Sequence, residues 1–138
     1  MPSPRIPKGG TRLTIYREVA WLRLAEAETL LKNHHYNGAI YLAGYAIECQ
    51  LKFAVCRQKG CTYLPENLEV HDWDVLIAAA GLATDIQAER SISNIYEALA
   101  QQWGPALRYR TKKYPPKEAT QLYKEMADLY DFLNELVP

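Results

Sequence analysis

Residues 37–58 are apolar on almost every side, and a helix of that kind is stable in water only when other helices surround it. Asn37 supplies an N-cap and Gly60 marks the end. The one polar thread is Tyr41, Tyr45, Glu48 and Lys52, which share a side at i, i+4, i+7 and i+11, with Gln50 and Arg57 on the far side. Glu48 and Lys52 stand in the favourable order for an ion pair one turn apart. A carboxylate in such surroundings needs a partner or must change protonation. Glu48 is therefore read either as a structural polar group that fixes helix register together with Lys52, or as part of a site.

The rest of the chain follows the same helical period. Residues 1–11, with three prolines and two glycines, read as a flexible leader to a single domain over residues 12–138. Residues 12–34 set Tyr16, Val19, Ala20, Leu24, Ala27, Leu30 and Leu31 on one face. Arg23 sits inside that face, as a structural polar group that snorkels or pairs with a carboxylate. A loop at 61–69 contains Pro65, and His71-Asp72 opens a short helix, capped by Asp72 and ended by Gly81. Thr84 or Asp85 caps a further helix whose buried face is Ala88, Ile92, Ile95, Tyr96, Leu99 and Trp103, stopped by Gly104-Pro105. A linker over 107–116 carries Arg108, Tyr109, Arg110, Lys112, Lys113 and Tyr114. Pro116 suits the first turn of a last helix burying Ala119, Leu122, Met126, Leu129, Tyr130 and Leu133. No period-two strand and no repeat is present, so the expected fold is all-α, an up-and-down bundle of four to five helices.

Charge and cysteine usage narrow the functions. Lys+Arg and Asp+Glu balance at 16 each, so any polyanion must be held by a local patch rather than by bulk charge. Cys49 and Cys56 lie seven apart on one helix, too far for a bond, and no CxxC spacing occurs, so both read as small buried apolar residues. With Cys61 the count is odd; no secretory signal and no apolar run long enough to span a bilayer is evident, which points to a reduced, cytoplasmic protein without membrane contact. His34 and His35 are adjacent at a helix end and make a poor metal pair. No phosphate loop, serine elbow or HExxH is found, so neither a cofactor nor a metal is expected.

Residues 21–31 (WLRLAEAETLL) and 36–52 (YNGAIYLAGYAIECQLK) resemble the first two helices of HEPN domains, the second of which commonly reads A-x-Y-L-A-G-Y-A-x-E-x-x-L-K. His71-Asp72-Trp73 stands where that family often has His-Asp-Leu at the start of its third helix, and Arg108-Tyr109 is similar to a basic-aromatic pair preceding the last. The resemblance covers roughly residues 16–136 and implies a helical bundle that pairs as a homodimer. Many members are metal-independent ribonucleases, often toxins or RNA-processing factors; others are non-catalytic partners of small nucleotidyltransferases. The ribonucleases carry an arginine, four to six residues, then a histidine that helps activate a ribose 2′-hydroxyl, while the arginine stabilises the phosphate.

This sequence departs from that pattern. Arg108 or Arg110 stands in the arginine position, but Thr111-Lys112-Lys113-Tyr114-Pro115-Pro116 follows and no histidine occurs after His71. The usual general base is therefore missing. Three expectations result. The first is a nucleotide- or RNA-binding module whose Arg108, Arg110, Lys112 and Lys113 hold phosphate while Tyr109 and Tyr114 stack a base, the alternative for that run being a plain solvated linker. The second is a noncanonical homodimeric ribonuclease in which His71, Glu48 or Tyr109 replaces the absent histidine, with Arg108 on the phosphate. The third is an interaction protein, the helical half of a toxin–antitoxin or nucleotidyltransferase pair.

Overall fold

A computed structural model describes residues 11–138. The expected leader therefore lies, except for Thr11, outside the described residues. Six α-helices follow one another: α1 (Leu13–Lys32), α2 (Tyr36–Lys59), α3 (Trp73–Ala80), α4 (Ala83–Ala88), α5 (Arg90–Gln102) and α6 (Pro116–Leu136). Short 3-10 turns at Glu66–Leu68 and Pro105–Tyr109 join them, and no strand occurs among the described residues. An isolated bridge between Arg12 and Tyr63, with Leu13 N donating to Thr62 O at 2.9 Å, ties the start of α1 to the loop after α2.

The helix at the centre is α2. It packs against α1, α3 and α6, and residues 46–56 are buried without interruption. That accounts for its composition: each face meets a neighbour, so no face needs to be polar. The expectation that no segment is long and apolar enough to span a bilayer is corrected here, because α2 is. Most of its apolar stretch, 83%, is buried inside the bundle, which is where a core helix keeps such a surface. The last helix buries the face read from sequence, Ala119, Leu122, Met126, Leu129, Tyr130 and Leu133.

Two boundaries differ from expectation. The single helix expected after Gly81 is divided at Glu89, whose backbone is extended (φ −103°, ψ 98°). Ile86 is buried and Ala88 exposed, and neither Thr84 nor Asp85 caps α4, which begins after Leu82. On one continuous helix Ile86 would lie about 120° round from Ile92, off the face that carries Ile95 and Leu99. The break lets both sets turn inward. The linker expected over 107–116 begins instead as the 3-10 turn Pro105–Tyr109.

Burial also sets the chemistry of several core groups. Cys49 and Cys56 are buried, and loss of water pushes both thiols up to about 11. The same cause raises the Tyr45 hydroxyl to about 12. For groups whose folded value is raised, the neutral form is the one the fold favours. Their contribution is complete below the ordinary value and is lost as pH rises through the folded one. The melting temperature is accordingly expected to fall steadily between about pH 9 and 12, and Cys61, only half-buried, to react with a thiol reagent well before Cys49 and Cys56. Thermal melts and thiol titration across that range measure this; a flat melting temperature contradicts it.

Candidate functional site

The entry to α3 is built locally. Asp72 Oδ1 accepts from the backbone N–H of Asp74 at 2.9 Å and of Val75 at 3.4 Å, capping the helix and fixing the chain just before it. That places His71 against α2. Glu48, only 1% exposed, accepts from Lys52 Nζ on Oε2 at 3.0 Å and from His71 Nδ1 on Oε1 at 2.9 Å. The Lys52 ammonium, itself buried, also lies 5.8 Å from the Tyr16 ring centroid. The register pair expected from spacing alone thus has a third member, drawn from 23 residues away. Because the carboxylate can only accept, Nδ1 carries the proton, and Nε2 of a neutral His71 is left as a free acceptor.

His71 is exposed on its other side and lines a groove of about 390 Å³ with Asp74, Trp73, Trp103 and Pro105. The groove is backed by a run of aromatic rings: Tyr45, Tyr41, Trp103, Trp73 and Tyr96 stack in sequence with centroids 5.2–6.4 Å apart. Trp103 reaches α2 because Gly44 offers no side chain there, and its Nε1 donates to the Tyr41 carbonyl at 3.1 Å. Tyr96 donates its hydroxyl to Asp74; burial first, and that bond second, raise its pKa. The indole N–H of Trp73 and the side-chain amide of Gln50 are buried without a hydrogen-bond partner.

The cationic segment is anchored by an unexpected residue. Asn37 does not cap α2, which starts one residue earlier at Tyr36 after an N-cap, His35, that makes no side-chain cap bond. Its amide instead donates to the carbonyls of Arg110 (3.2 Å) and Lys112 (3.1 Å) and accepts from Tyr114 N–H (2.9 Å). Residues 110–114 are thereby stapled to the first turn of the central helix. Tyr114 is 5% exposed beneath the Arg110 guanidinium, which lies 3.8 Å from its ring centroid. Its ring is a core surface, which corrects the expectation that it stacks a base. Arg110 is half-buried and also donates from Nε to the Lys112 carbonyl at 2.8 Å. Arg108, Tyr109, Lys112 and Lys113 are exposed. The Arg108 Nε donates to the carbonyl of Pro105 at 3.0 Å, so its guanidinium is held beside a residue of the groove wall. Arg23, the remaining polar candidate, pairs with Glu26 at the surface of α1 and belongs to neither cluster.

The sequence-derived candidates therefore form two groups. Glu48, Lys52 and His71 cluster where the entry to α3 meets α2, and of these only His71 lines the groove. Arg108, Arg110, Lys112 and Lys113 lie on the segment before α6, outside the groove lining. Among the described residues no three His, Cys, Asp or Glu side chains come together as a metal-ion site requires. The signal that escaped sequence reading is the pairing of His71 with Glu48, since helical spacing relates only residues within one element.

A family model described as HEPN domain matches residues 14–136 of the chain. No curated protein and no solved structure matches it.

Proposed function

From the premise that this chain belongs to the HEPN domain family, we propose that it is a nucleotide- or RNA-binding helical module without the Arg-x4–6-His ribonuclease motif. The carrying observation is the exposed cationic run Arg108, Lys112 and Lys113, with exposed Tyr109 beside it, on a segment that Asn37 holds to the central helix. A solvated linker needs no such staple. Arginine offers phosphate a planar fork, the lysines add point charge, and Tyr109 supplies a face for a base. HEPN domains commonly dimerise, and the module is taken to work as a pair of copies in the cytoplasm. A small nucleotidyltransferase-type protein in a toxin–antitoxin setting is the partner class that suits a chain with no net charge to oppose protein–protein contact.

A second reading, a noncanonical metal-independent ribonuclease, is favoured by one observation. The His71 imidazole is oriented by a buried carboxylate and opens on a groove whose wall includes Pro105, the residue whose carbonyl accepts from Arg108. A base held this way could take a proton from a ribose hydroxyl while the arginine meets the phosphate.

One panel tests both. Labelled single-stranded RNA is titrated with the natural chain, with Arg108→Ala/Lys112→Ala and with His71→Ala, in filter binding and on denaturing gels. The double variant is expected to bind at least tenfold more weakly, on the order of two lost phosphate contacts, with a shallower salt dependence and an unchanged circular dichroism spectrum. Unchanged binding removes the anion site. Cleavage lost by about 10²–10⁴-fold in His71→Ala supports the ribonuclease; cleavage that survives both variants marks a contaminant.

A further inference from the structure

The outer side of α1 carries an apolar stripe that no described residue covers. Ala20 and Ala27 face the core, and on the opposite side Ile15, Glu18, Trp21, Leu22 and Ala25 fall within about 120° of one another. Trp21 is 62% exposed, Ile15 43% and Leu22 39%. One exposed leucine needs no explanation, but a tryptophan and two large aliphatics on one stripe do. Beside Trp21 the surface falls into a cleft of about 390 Å³ between α1 and α6, walled by Thr14, Arg17, Glu18, Tyr130 and Asn134.

Acidic groups gather at the edge of this cleft. Beyond Glu125, α6 carries Asp128, Asp131 and Glu135 and no lysine or arginine. Their spacings of three and four set them on one side of the helix, where they repel one another. They also stand near its C-terminal end, where the backbone dipole is already negative. Burial first, then the charges of Asp128 and Glu135, push the Asp131 carboxyl above its ordinary value. Burial and then Asp131 raise the Tyr130 hydroxyl, which puts that carboxylate next to the cleft wall. Among the described residues neither these three nor Glu18 has an ion-pair partner. Arg17 is the one cation in the cleft wall, and its guanidinium lies 5.3 Å from the Phe53 ring centroid. The repulsion is a cost that cations from outside would relieve.

That charge selects the occupant. A nucleic acid or an anionic lipid surface would add to the repulsion, and so would a second copy that set this face against itself. A neutral apolar partner would take the carboxylates out of water with nothing to pair them. We propose that this face docks a basic amphipathic helix of a partner protein. Its apolar side covers Trp21, Ile15 and Leu22 and fills the cleft, while its lysines or arginines meet Glu18, Asp131 and Glu135. Trp21 supplies most of the affinity, and the acidic rim sets the sign of what approaches. The face stands apart from the phosphate-binding segment. Tyr114 is bonded to the start of α2, whereas Asp131 lies about 22 Å along α6 from Pro116.

Fluorescence anisotropy tests the face, with the full chain titrated into a labelled synthetic peptide that carries leucines on one helical side and lysines on the other. The peptide is expected to bind, more weakly as salt rises, and not to bind once glutamates replace its lysines. Trp21→Ala and Asp131→Lys/Glu135→Lys should each weaken it by at least about tenfold without altering the circular dichroism spectrum, because all three side chains are exposed. Asp85→Lys/Glu97→Lys, the same change of charge at exposed positions of α4 and α5, should leave binding unaltered, and so should Arg108→Ala/Lys112→Ala. Absence of binding, or an equal loss in the α4 and α5 variant, overturns the proposal. Two other results also overturn it. A dimer of the natural chain that Trp21→Ala dissolves in sedimentation velocity gives the face to a second copy. Tighter peptide binding by a chain that starts at Thr11 gives it to residues 1–10.

Discussion

Glu48→Ala is expected to destabilise the protein by about 3–5 kcal/mol, the usual cost of breaking a buried ion pair from one side. The carboxylate is nearly inaccessible and is the hydrogen-bond acceptor for both Lys52 Nζ and His71 Nδ1. Removing it strands the Lys52 ammonium among apolar neighbours, where an uncompensated charge is far more costly than the lost bonds themselves. A domain of this size has a total stability of roughly 5–15 kcal/mol, so the variant should stand close to unfolding. Replacing both charges, as in Glu48→Leu/Lys52→Met, should recover most of the loss, because the desolvation penalty disappears with them. Urea unfolding of the three proteins decides it. A loss below about 1 kcal/mol for Glu48→Ala would mean that the pair is solvated and not part of the core.

Gly44→Ala should also destabilise, against the local rule. Within a helix, alanine is favoured over glycine by about 1 kcal/mol. Here a methyl group at Gly44 would overlap the indole of Trp103, on Nε1, Cδ1 and Cε2, and the ring has little freedom to retreat. It is buried, stacked on Tyr41 and Trp73, and bonded to the Tyr41 carbonyl. Overpacking of a rigid site costs about 1–3 kcal/mol, so the net change should be a loss despite the propensity gain. Two signatures identify the cause: altered tryptophan fluorescence, and a double variant with Trp103→Leu that is more stable than the sum of the single effects. A more stable Gly44→Ala protein would mean that α5 does not dock on α2 through this ring.

Local sequence was a good guide wherever a single element contains its own explanation. Asp72 caps α3 as its position suggests, and Gly60 and Gly81 end their helices with φ of 65° and 70°, a conformation that glycine adopts without strain. The buried faces of α2 and α6 follow from periodicity, and so does the Glu48–Lys52 pair. Asn37 shows the limit. Its type and place suit an N-cap, yet its amide is taken by a segment that lies 73 residues or more along the chain. The same limit explains the division between α4 and α5, since a helical stripe cannot tell whether Ile86 and Ile92 meet one neighbour or two.

An apolar central helix with one acidic residue was legible before any coordinates, because backbone hydrogen bonds and side-chain periodicity act over a few residues and solvent exclusion acts on composition. Which groups complete that residue's surroundings was not. His71 reaches Glu48, Trp103 reaches Gly44 and Asn37 reaches residues 110–114 only once the helices have docked. Distances between elements are set by how their surfaces pack, and packing is a property of the assembled bundle rather than of any stretch of chain.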